Sequence, residues 1–224
     1  ESGISTFRDA GGLWDKYPVE QVATPEGYAR NPELVINFYN ERRKQLLDVV
    51  PNAGHLGVAD LERDFNVTVV TQNVDNLHER AGSTHVIHLH GELTKVCSSR
   101  DPYNPHFVKE LAPEEYEVKL GDKAGDGTQL RPFIVWFGES VPEIETAIRY
   151  VEQADIFVII GTSLNVYPAA GLLNYVPRAA EVYLIDPKPV DTHVMRPIHV
   201  IQKGASEGVK ELKALLAATQ PPLP

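Results

Sequence analysis

One stretch of the chain limits its possible folds more than any other. Residues 156–160 are five consecutive large apolar side chains, and Gly161-Thr162-Ser163 follows directly. A run without polar alternation is typical of a strand buried on both faces of a parallel sheet. Further strands are predicted by the apolar runs at 67–71, 85–89, 134–137, 182–185 and 198–201. Helical patterns lie between several of them, at 142–153, 169–175 and 206–218. We therefore predict an α/β fold with a doubly wound, Rossmann-like parallel sheet.

Two segments interrupt this alternation and predict a second, smaller inserted domain. Asn31 and Pro32 are residue types that favour a helix N-cap and first turn, so we expect a helix over 32–48. Residues 92–131 contain scattered Pro and Gly and few long apolar runs, which indicates an inserted module. The predicted large domain comprises 1–22, 52–91 and 132–224, and the predicted small domain comprises 23–51 and 92–131.

Composition narrows the function classes. The 224 residues carry a net charge of −10, which argues against a broad nucleic-acid-binding face and suits a basic protein partner. Cys97 is the only cysteine, which excludes an intrachain disulfide and fits a reducing, cytoplasmic compartment. No apolar run reaches the ~20 residues that span a bilayer, so we expect no membrane insertion. We expect a monomer or a weak oligomer.

Three polar loops follow predicted strands, and each has an ordinary alternative explanation. The run Gly161-Thr162-Ser163 could bind phosphate or ribose, or form a plain turn. The run Thr71-Gln72-Asn73-Val74-Asp75 could bind ribose hydroxyls and a carboxamide, or cap the next helix. His90 lies at the end of a predicted strand, beside a glycine. It could be a general base, or it could be a structural histidine. His88 lies two residues earlier, so we expect its side chain on the same face as that of His90.

Six short motifs occur along the chain in a recognisable order. They are Ser2-Gly3-Ile4-Ser5-Thr6-Phe7-Arg8, Thr71-Gln72-Asn73-Val74-Asp75, His90-Gly91, Phe137-Gly138-Glu139, Gly161-Thr162-Ser163 and Gly204-Ala205. Together they resemble the sirtuins, the NAD-dependent protein lysine deacylases, over essentially the whole chain. The resemblance implies that NAD is consumed as a co-substrate. The acyl oxygen attacks the ribose, nicotinamide leaves, a ribose hydroxyl attacks the resulting alkylamidate, and O-acyl-ADP-ribose is released.

The resemblance also implies roles for individual residues. His90 would be the general base, Asn73 would hold the ribose and its water, and Asp75 would bind the nicotinamide carboxamide. The implied cofactor-binding positions are Phe7, Arg8, Gln72, Asn73, Val74, Asp75, Gly161, Thr162, Ser163, Asp186 and Ala205. The implied peptide-binding segment, to which a substrate would add as an extended strand, is Trp136, Phe137, Gly138 and Glu139.

The sequence departs from the sirtuin pattern in two places. Sirtuins typically hold structural zinc with two Cys-x-x-Cys pairs, whereas Cys97 is alone here, and Ser98 and Asp101 stand at ligand positions. We therefore expect an inserted module that folds without zinc. Sirtuins also begin with a central strand and a Gly-rich turn, and this chain opens after them. We read that opening as the mark of a truncated or internally deleted record.

Three further residues indicate which acyl group the chain would remove. Tyr39 and Arg42 are three apart on one predicted helix, so their phenol and guanidinium could form a carboxylate clamp. The alternative is that Tyr39 packs in the small domain while Arg42 pairs with a nearby acid. With Ala23 they resemble the acyl-pocket signature of class III sirtuins, which remove succinyl, malonyl and glutaryl groups.

Two functional hypotheses from different classes follow. The first is an NAD-consuming deacylase acting on acylated lysine side chains of proteins, mainly a desuccinylase and demalonylase with possible deacetylase activity. The second is a non-catalytic module that binds NAD or ADP-ribose. The intact set of His90, Asn73 and Asp75 favours the enzyme, and the missing start favours the binding module.

Overall fold

The computed structural model describes residues 1–4, 16–162, 169–191 and 194–219. The helices in these residues are α1 (Val19–Val22), α2 (Pro25–Arg30), α3 (Pro32–Leu47), α4 (Ala53–Asp60), α5 (Leu77–Ala81), α6 (Ile144–Val151) and α7 (Ala205–Thr219). The strands are β1 (Val69–Thr71), β2 (Val86–His88), β3 (Gly91–Ser98), β4 (Lys109–Glu110), β5 (Leu130–Ile134), β6 (Ile156–Ile160), β7 (Glu181–Ile185) and β8 (His199–Ile201). Short 3₁₀ turns occur at Leu61–Arg63, Pro105–Phe107, Pro113–Glu115 and Ala169–Tyr175.

The predicted parallel strands are confirmed. β6, β7 and β8 pair in parallel, with Ile156 opposite Glu181 and Tyr183 opposite His199. β1 and β2 form a second parallel pair. Alternate residues of β7 point to opposite faces, so Val182 and Leu184 pack with α6, while Tyr183 and Ile185 pack with α7. Helices therefore cover both faces of the sheet, which is the doubly wound α/β arrangement.

The run at 134–137 was predicted as another strand, and this prediction was wrong for most of its length. β5 ends at Ile134 and pairs antiparallel with β3, which in turn pairs antiparallel with β4. Beyond Ile134 the chain turns, and the Glu139 amide donates to the Trp136 carbonyl at 3.0 Å. The Trp136 ring is buried in the core, while half of Phe137 is exposed. The helical pattern at 169–175 forms a 3₁₀ turn rather than an α-helix.

Helix α3 begins and ends where the sequence predicts. The Asn31 side chain accepts the Leu34 amide at 3.1 Å, and Pro32 occupies the first turn. The buried face of α3 carries two polar residues that bind the inserted module. Asn40 exchanges hydrogen bonds with the backbone of Val118, and Arg43 donates to the carbonyls of Leu93 and Tyr116. These bonds support our proposal that 23–51 and 92–131 form one small domain.

None of the helices in the described parts of the chain is both long enough and apolar enough to cross a membrane.

Helix α7 approaches the sheet closely enough to require a small residue. A Cβ atom added at Gly208 would lie 2.2 Å from Cγ2 of Ile185 on β7. An alanine in an exposed helix interior would stabilise the helix by about 1 kcal/mol relative to glycine. At this position the steric overlap should reverse that sign.

We therefore expect Gly208→Ala to lower the free energy of unfolding by about 1–3 kcal/mol, the usual cost of overpacking. Urea denaturation measures this loss. The Ile185→Ala change removes the obstructing methyl group, so the double variant should lose less stability than the two single losses combined. If the two single losses in the free energy of unfolding were strictly additive, or if Gly208→Ala stabilised the protein, the close contact between Gly208 and Ile185 would be contradicted.

Candidate active site

Parallel pairing of β1 and β2 brings two of the predicted loops together. Thr71 lies opposite His88, and the chain continues from these positions into Gln72 and His90. The Nδ1 atom of His90 lies 3.2 Å from the Gln72 carbonyl oxygen. A carbonyl can only accept, so Nδ1 carries the proton of the neutral ring and Nε2 is its basic nitrogen. This is the tautomer that a general base requires.

The side chain of Gln72 joins the third loop to this pair. Its Nε2 atom donates to Oγ1 of Thr162 at 3.1 Å. Thr162 follows Gly161, whose φ of +61° turns the chain sharply after β6. One residue thus contacts His90 through its backbone and the Gly-Thr loop through its side chain. The three loops converge as expected for the carboxyl edge of parallel strands.

The backbone of Asn73 is held while its side chain is exposed. Its amide donates to Oγ1 of Thr71 at 3.0 Å, and its carbonyl oxygen lies 3.0 Å from Nδ1 of His88. Asp75 uses Oδ1 to accept the Leu77 amide at the start of α5, as the capping alternative predicts. The carbonyl of Val74 accepts the Leu93 amide at 2.7 Å, which fixes this loop against β3.

The segment after β5 forms a turn that a buried ion pair stabilises. Glu139 accepts the Trp136 amide at 2.9 Å and pairs with Arg131 at 3.0 Å, so its carboxylate is directed into the protein. Gly138 has a φ of +91° within the turn. The Phe137 amide donates to the Ala23 carbonyl at 3.0 Å, so that amide is already occupied. Peptide binding by this segment, and by Glu139 in particular, stays a prediction.

Tyr39 and Arg42 lie on the same helix, α3, but the one donor of Tyr39 is already used within the protein. The Tyr39 hydroxyl donates to the Val22 carbonyl at 2.9 Å and accepts from Nε1 of Trp136 at 3.1 Å. Burial raises its pKa above the ordinary value. Arg42 makes no ion pair with an acid in the described residues, contrary to the second interpretation of this helix. Its Nε and Nη1 atoms are buried without hydrogen-bond partners there.

The remaining predicted cofactor positions divide into two groups. Asp186 follows β7 at the same sheet edge, where its Oδ1 accepts the Lys188 amide at 2.8 Å. Ala205 begins α7, next to the Gly54 backbone on α4. Phe7, Arg8 and Ser163 lie outside the described residues.

The inserted module has the wrong donors for zinc. Cys97 is fully buried, its thiol donates to the Pro132 carbonyl, and burial raises its pKa to about 12. Ser98 donates to the Asp126 carboxylate at 2.6 Å and accepts the amides of Arg100 and Asp101 at 3.0 and 2.9 Å. A protonated thiol and a fully engaged hydroxyl do not fit a structural zinc ion. We propose that these hydrogen bonds close the loop in place of a metal.

Two residues that support this site were not assigned a role by the sequence analysis. Arg131 lies 3.8 Å from the centroid of the Trp136 ring and pairs with Glu139. A lone arginine within the apolar run at 130–137 was the available signal, because buried charges are generally paired. His88 binds the loop next to His90, and its expected position on the same face was the signal for it.

A Rossmann-like α/β protein with polar loops at the sheet edge is the class that this fold and site define. The model of the Sir2 family matches residues 1–168. A relative from Bacteroides thetaiotaomicron, described as an NAD-dependent protein deacylase, is 85% identical over 216 residues, covering 96% of this chain and 92% of the relative. A relative of the same description from Helicobacter pylori is 48% identical, covering 95% and 90%. The chain belongs to the Sir2 family, the sirtuins.

Solved structures agree with this assignment. A Sir2 homologue mutant in complex with ADP-ribose superposes with a TM-score of 0.84 at 34% identity, covering 98% of this chain and 90% of that chain. A Sir2 homologue in complex with NAD gives a TM-score of 0.81 at 36% identity, covering 98% and 86%.

The tautomer of His90 generates a direct test. His90→Ala should reduce the formation of deacylated peptide and O-acyl-ADP-ribose by ~10²–10⁴-fold, the usual contribution of a general base, because His90 acts after nicotinamide has left. The matched control is His106→Ala, because His106 is exposed in the inserted module. Turnover with an acyl-lysine peptide, followed by mass spectrometry, is the measurement. Coupled turnover within a few-fold of the wild type would remove His90 from the mechanism.

The donors at 97–101 generate a second test. Treatment with a chelator at neutral pH should leave Tm unchanged, and elemental analysis should find no stoichiometric zinc. Ser98→Ala removes the hydroxyl that accepts two amides, so this variant should have a lower Tm with or without chelator. One zinc per purified chain, or a chelator-dependent Tm, would show that the loop is closed by metal.

Proposed function

We propose that this chain, an NAD-dependent protein deacylase, removes succinyl, malonyl or glutaryl groups from lysine side chains. The observation that carries the proposal is the half-buried Arg42 guanidinium, whose Nε and Nη1 atoms have no partner in the described residues. Burial lowers its pKa from the ordinary value, so the surroundings do not favour the charge. The Phe38 ring, 5.1 Å from Cζ, compensates only in part. A ligand carboxylate would supply the missing acceptors.

Tyr39 and Ala23 would shape this pocket rather than share its charge. The Tyr39 hydroxyl is held between Trp136 and the Val22 carbonyl, and Ala23 is buried next in sequence to Val22. A small side chain at position 23 leaves more room for an acyl chain than a large one would. We propose that Arg42 provides the charge that recognises the acyl group, and that Tyr39 forms the wall of the pocket.

The chemistry would proceed at the converging loops. NAD, when bound, supplies the ribose carbon that receives the acyl oxygen as nicotinamide leaves. The Nδ1–H group of His90 donates to the Gln72 carbonyl, so the unprotonated Nε2 atom could take the proton of a ribose hydroxyl. The exposed Asn73 side chain would hold that ribose, and Asp75 would bind the carboxamide. Gly161 and Thr162 would hold phosphate or ribose. The solved structures of Sir2 homologues with ADP-ribose and with NAD support NAD as the co-substrate.

The negative net charge of the chain favours a basic protein as its partner. A net charge of −10 attracts Lys-rich protein surfaces at low salt. A structure of a Sir2 protein with a deacetylated peptide and 3′-O-acetyl ADP-ribose, 27% identical with a TM-score of 0.77, supports acyl-lysine in proteins as the substrate class.

Acyl preference is tested by Arg42→Met. A charge-assisted hydrogen bond contributes ~1.5–3 kcal/mol, so desuccinylation should fall by about 10- to 100-fold at ~1.4 kcal/mol per tenfold. Deacetylation should be unchanged or raised, because an acetyl group has no carboxylate to pair with Arg42. The measurement is kcat/KM for a succinyl-lysine and an acetyl-lysine peptide of one sequence.

The matched control is Lys44→Met, since Lys44 is an exposed cation on the same helix. It should alter both substrates equally and weakly. If Arg42→Met lowered the two activities by the same factor, Arg42 would be a structural residue and the acyl preference would have another origin.

A further inference from the structure

His88 has acceptor oxygens at both ring nitrogens. Nδ1 lies 3.0 Å from the Asn73 carbonyl oxygen, and Nε2 lies 2.9 Å from Oε2 of Glu79. Neither a carbonyl nor a carboxylate can donate a proton. A neutral imidazole carries one N–H and would leave a lone pair against one of these oxygens. Only the imidazolium, with a proton on each nitrogen, satisfies both contacts.

His88 and His90 therefore form a pair with opposite protonation requirements. Both use Nδ1 to bind consecutive carbonyls, those of Asn73 and Gln72. His90 must be neutral to accept a proton. His88 is buried and needs its second proton to reach Glu79 on α5.

We propose that the His88–Glu79 ion pair is a positioning device that holds the Asn73 loop in its working geometry. The proposal rests on the proposed role of Asn73. The amide of Asn73 is fixed by Thr71 and its carbonyl by His88, which leaves only the side chain to reach a ligand. Loss of the His88 contact frees the peptide unit between Asn73 and Val74. His88 acts through Asn73 and touches no reacting atom.

The charges that face His88 support its protonated state. Burial alone lowers the pKa of His88, but the bonds to Glu79 and Asn73 and the charges of Glu79 and Glu92 raise it above the ordinary value. His78 on α5 also interacts with His88 and opposes its charge. Glu92 is itself paired with Lys95 at 2.7 Å. The contribution of the ion pair is thus present between the lowered pKa of Glu79 and the raised pKa of His88, and it is lost as the pH rises through the pKa of His88 in the folded protein.

Two substitutions separate the charge from the geometry. His88→Phe keeps a flat ring but cannot donate to Asn73, so kcat for nicotinamide release should fall by about 10- to 100-fold, as expected for misplaced groups. KM for the peptide should change little. In Glu79→Gln, the new side-chain amide can donate to Nε2 of a neutral His88. The Nδ1–H group of His88 then still donates to the Asn73 carbonyl. This variant should remain active within a few-fold, and the alkaline decline of its kcat should weaken or disappear.

Glu92→Gln is the matched control. It removes a nearby charge without removing a hydrogen bond to His88. The alkaline decline of kcat should therefore shift less in pH than it does in Glu79→Gln. Glu79, His88 and Glu92 also have ligand atoms within 4.8 Å of one another, as a metal site would. Activity of the wild type that depends on added Zn²⁺ or Mn²⁺, and loses this dependence in Glu92→Gln, would overturn the ion pair in favour of a metal.

Failure of the inference and failure of the proposed site give different results. Asn73→Ala with near-normal turnover would refute the role of Asn73, and the inference with it. Asn73→Ala without turnover, together with a His88→Phe variant that keeps the wild-type kcat and pH profile at a lower Tm, would show that His88 is structural only. Equal losses in Asn73→Ala and in the double variant with His88→Phe would confirm that His88 acts through Asn73.

Discussion

The hydrogen bond from His90 to the Gln72 carbonyl is the contact on which the site depends. It exists because β1 and β2 run in parallel with Thr71 opposite His88, so that both strands deliver their next residues to one edge. The bond selects the tautomer of His90, and Gln72 extends the arrangement to Thr162 through its side chain. A shift of one residue in the pairing would turn every side chain of β2 to the opposite face. The register of two three-residue strands therefore determines the chemistry of the site.

A second constraint couples the small antiparallel sheet to the proposed acyl pocket. Arg131 and Glu139 form a buried ion pair, and the guanidinium also lies over the Trp136 ring. Removing one partner of such a pair typically costs 3–5 kcal/mol, roughly, because the other charge is left buried. Trp136 then contacts Tyr39 through its indole nitrogen. The wall of the proposed pocket thus comprises residues that are 97 positions apart in sequence but are joined by a hydrogen bond.

The sequence predicts well whatever depends on local pattern. The strand at 156–160 has an unbroken apolar run, and α3 has both its cap and its first-turn proline, so the bounds of both were predicted nearly to the residue. The expected burial on both faces of this strand was wrong, because only Ile159 is buried and the other four residues are partly buried. Strand β3 was missed because Thr94 and Lys95 interrupt its apolar side chains within a segment that contains many turn residues. The direction of the Tyr39 hydroxyl and the inward carboxylate of Glu139 depend on Trp136 and Arg131, which no local pattern connects to them. Motif order predicts the residues of the site, and tertiary contacts determine which of their donors are already used within the protein.

The burial of Cys97 has a consequence for oxidative conditions. Oxidants and electrophiles react with the thiolate, and a buried thiol with a pKa of about 12 forms almost none at neutral pH. Cys97 is also the only cysteine, so the chain contains no second thiol with which it could form a disulfide. The only other sulfur is that of Met195, which is fully exposed. Peroxide should therefore convert Met195 to the sulfoxide while Cys97 stays reduced, and no thiol-based sensor would report oxidation to the site.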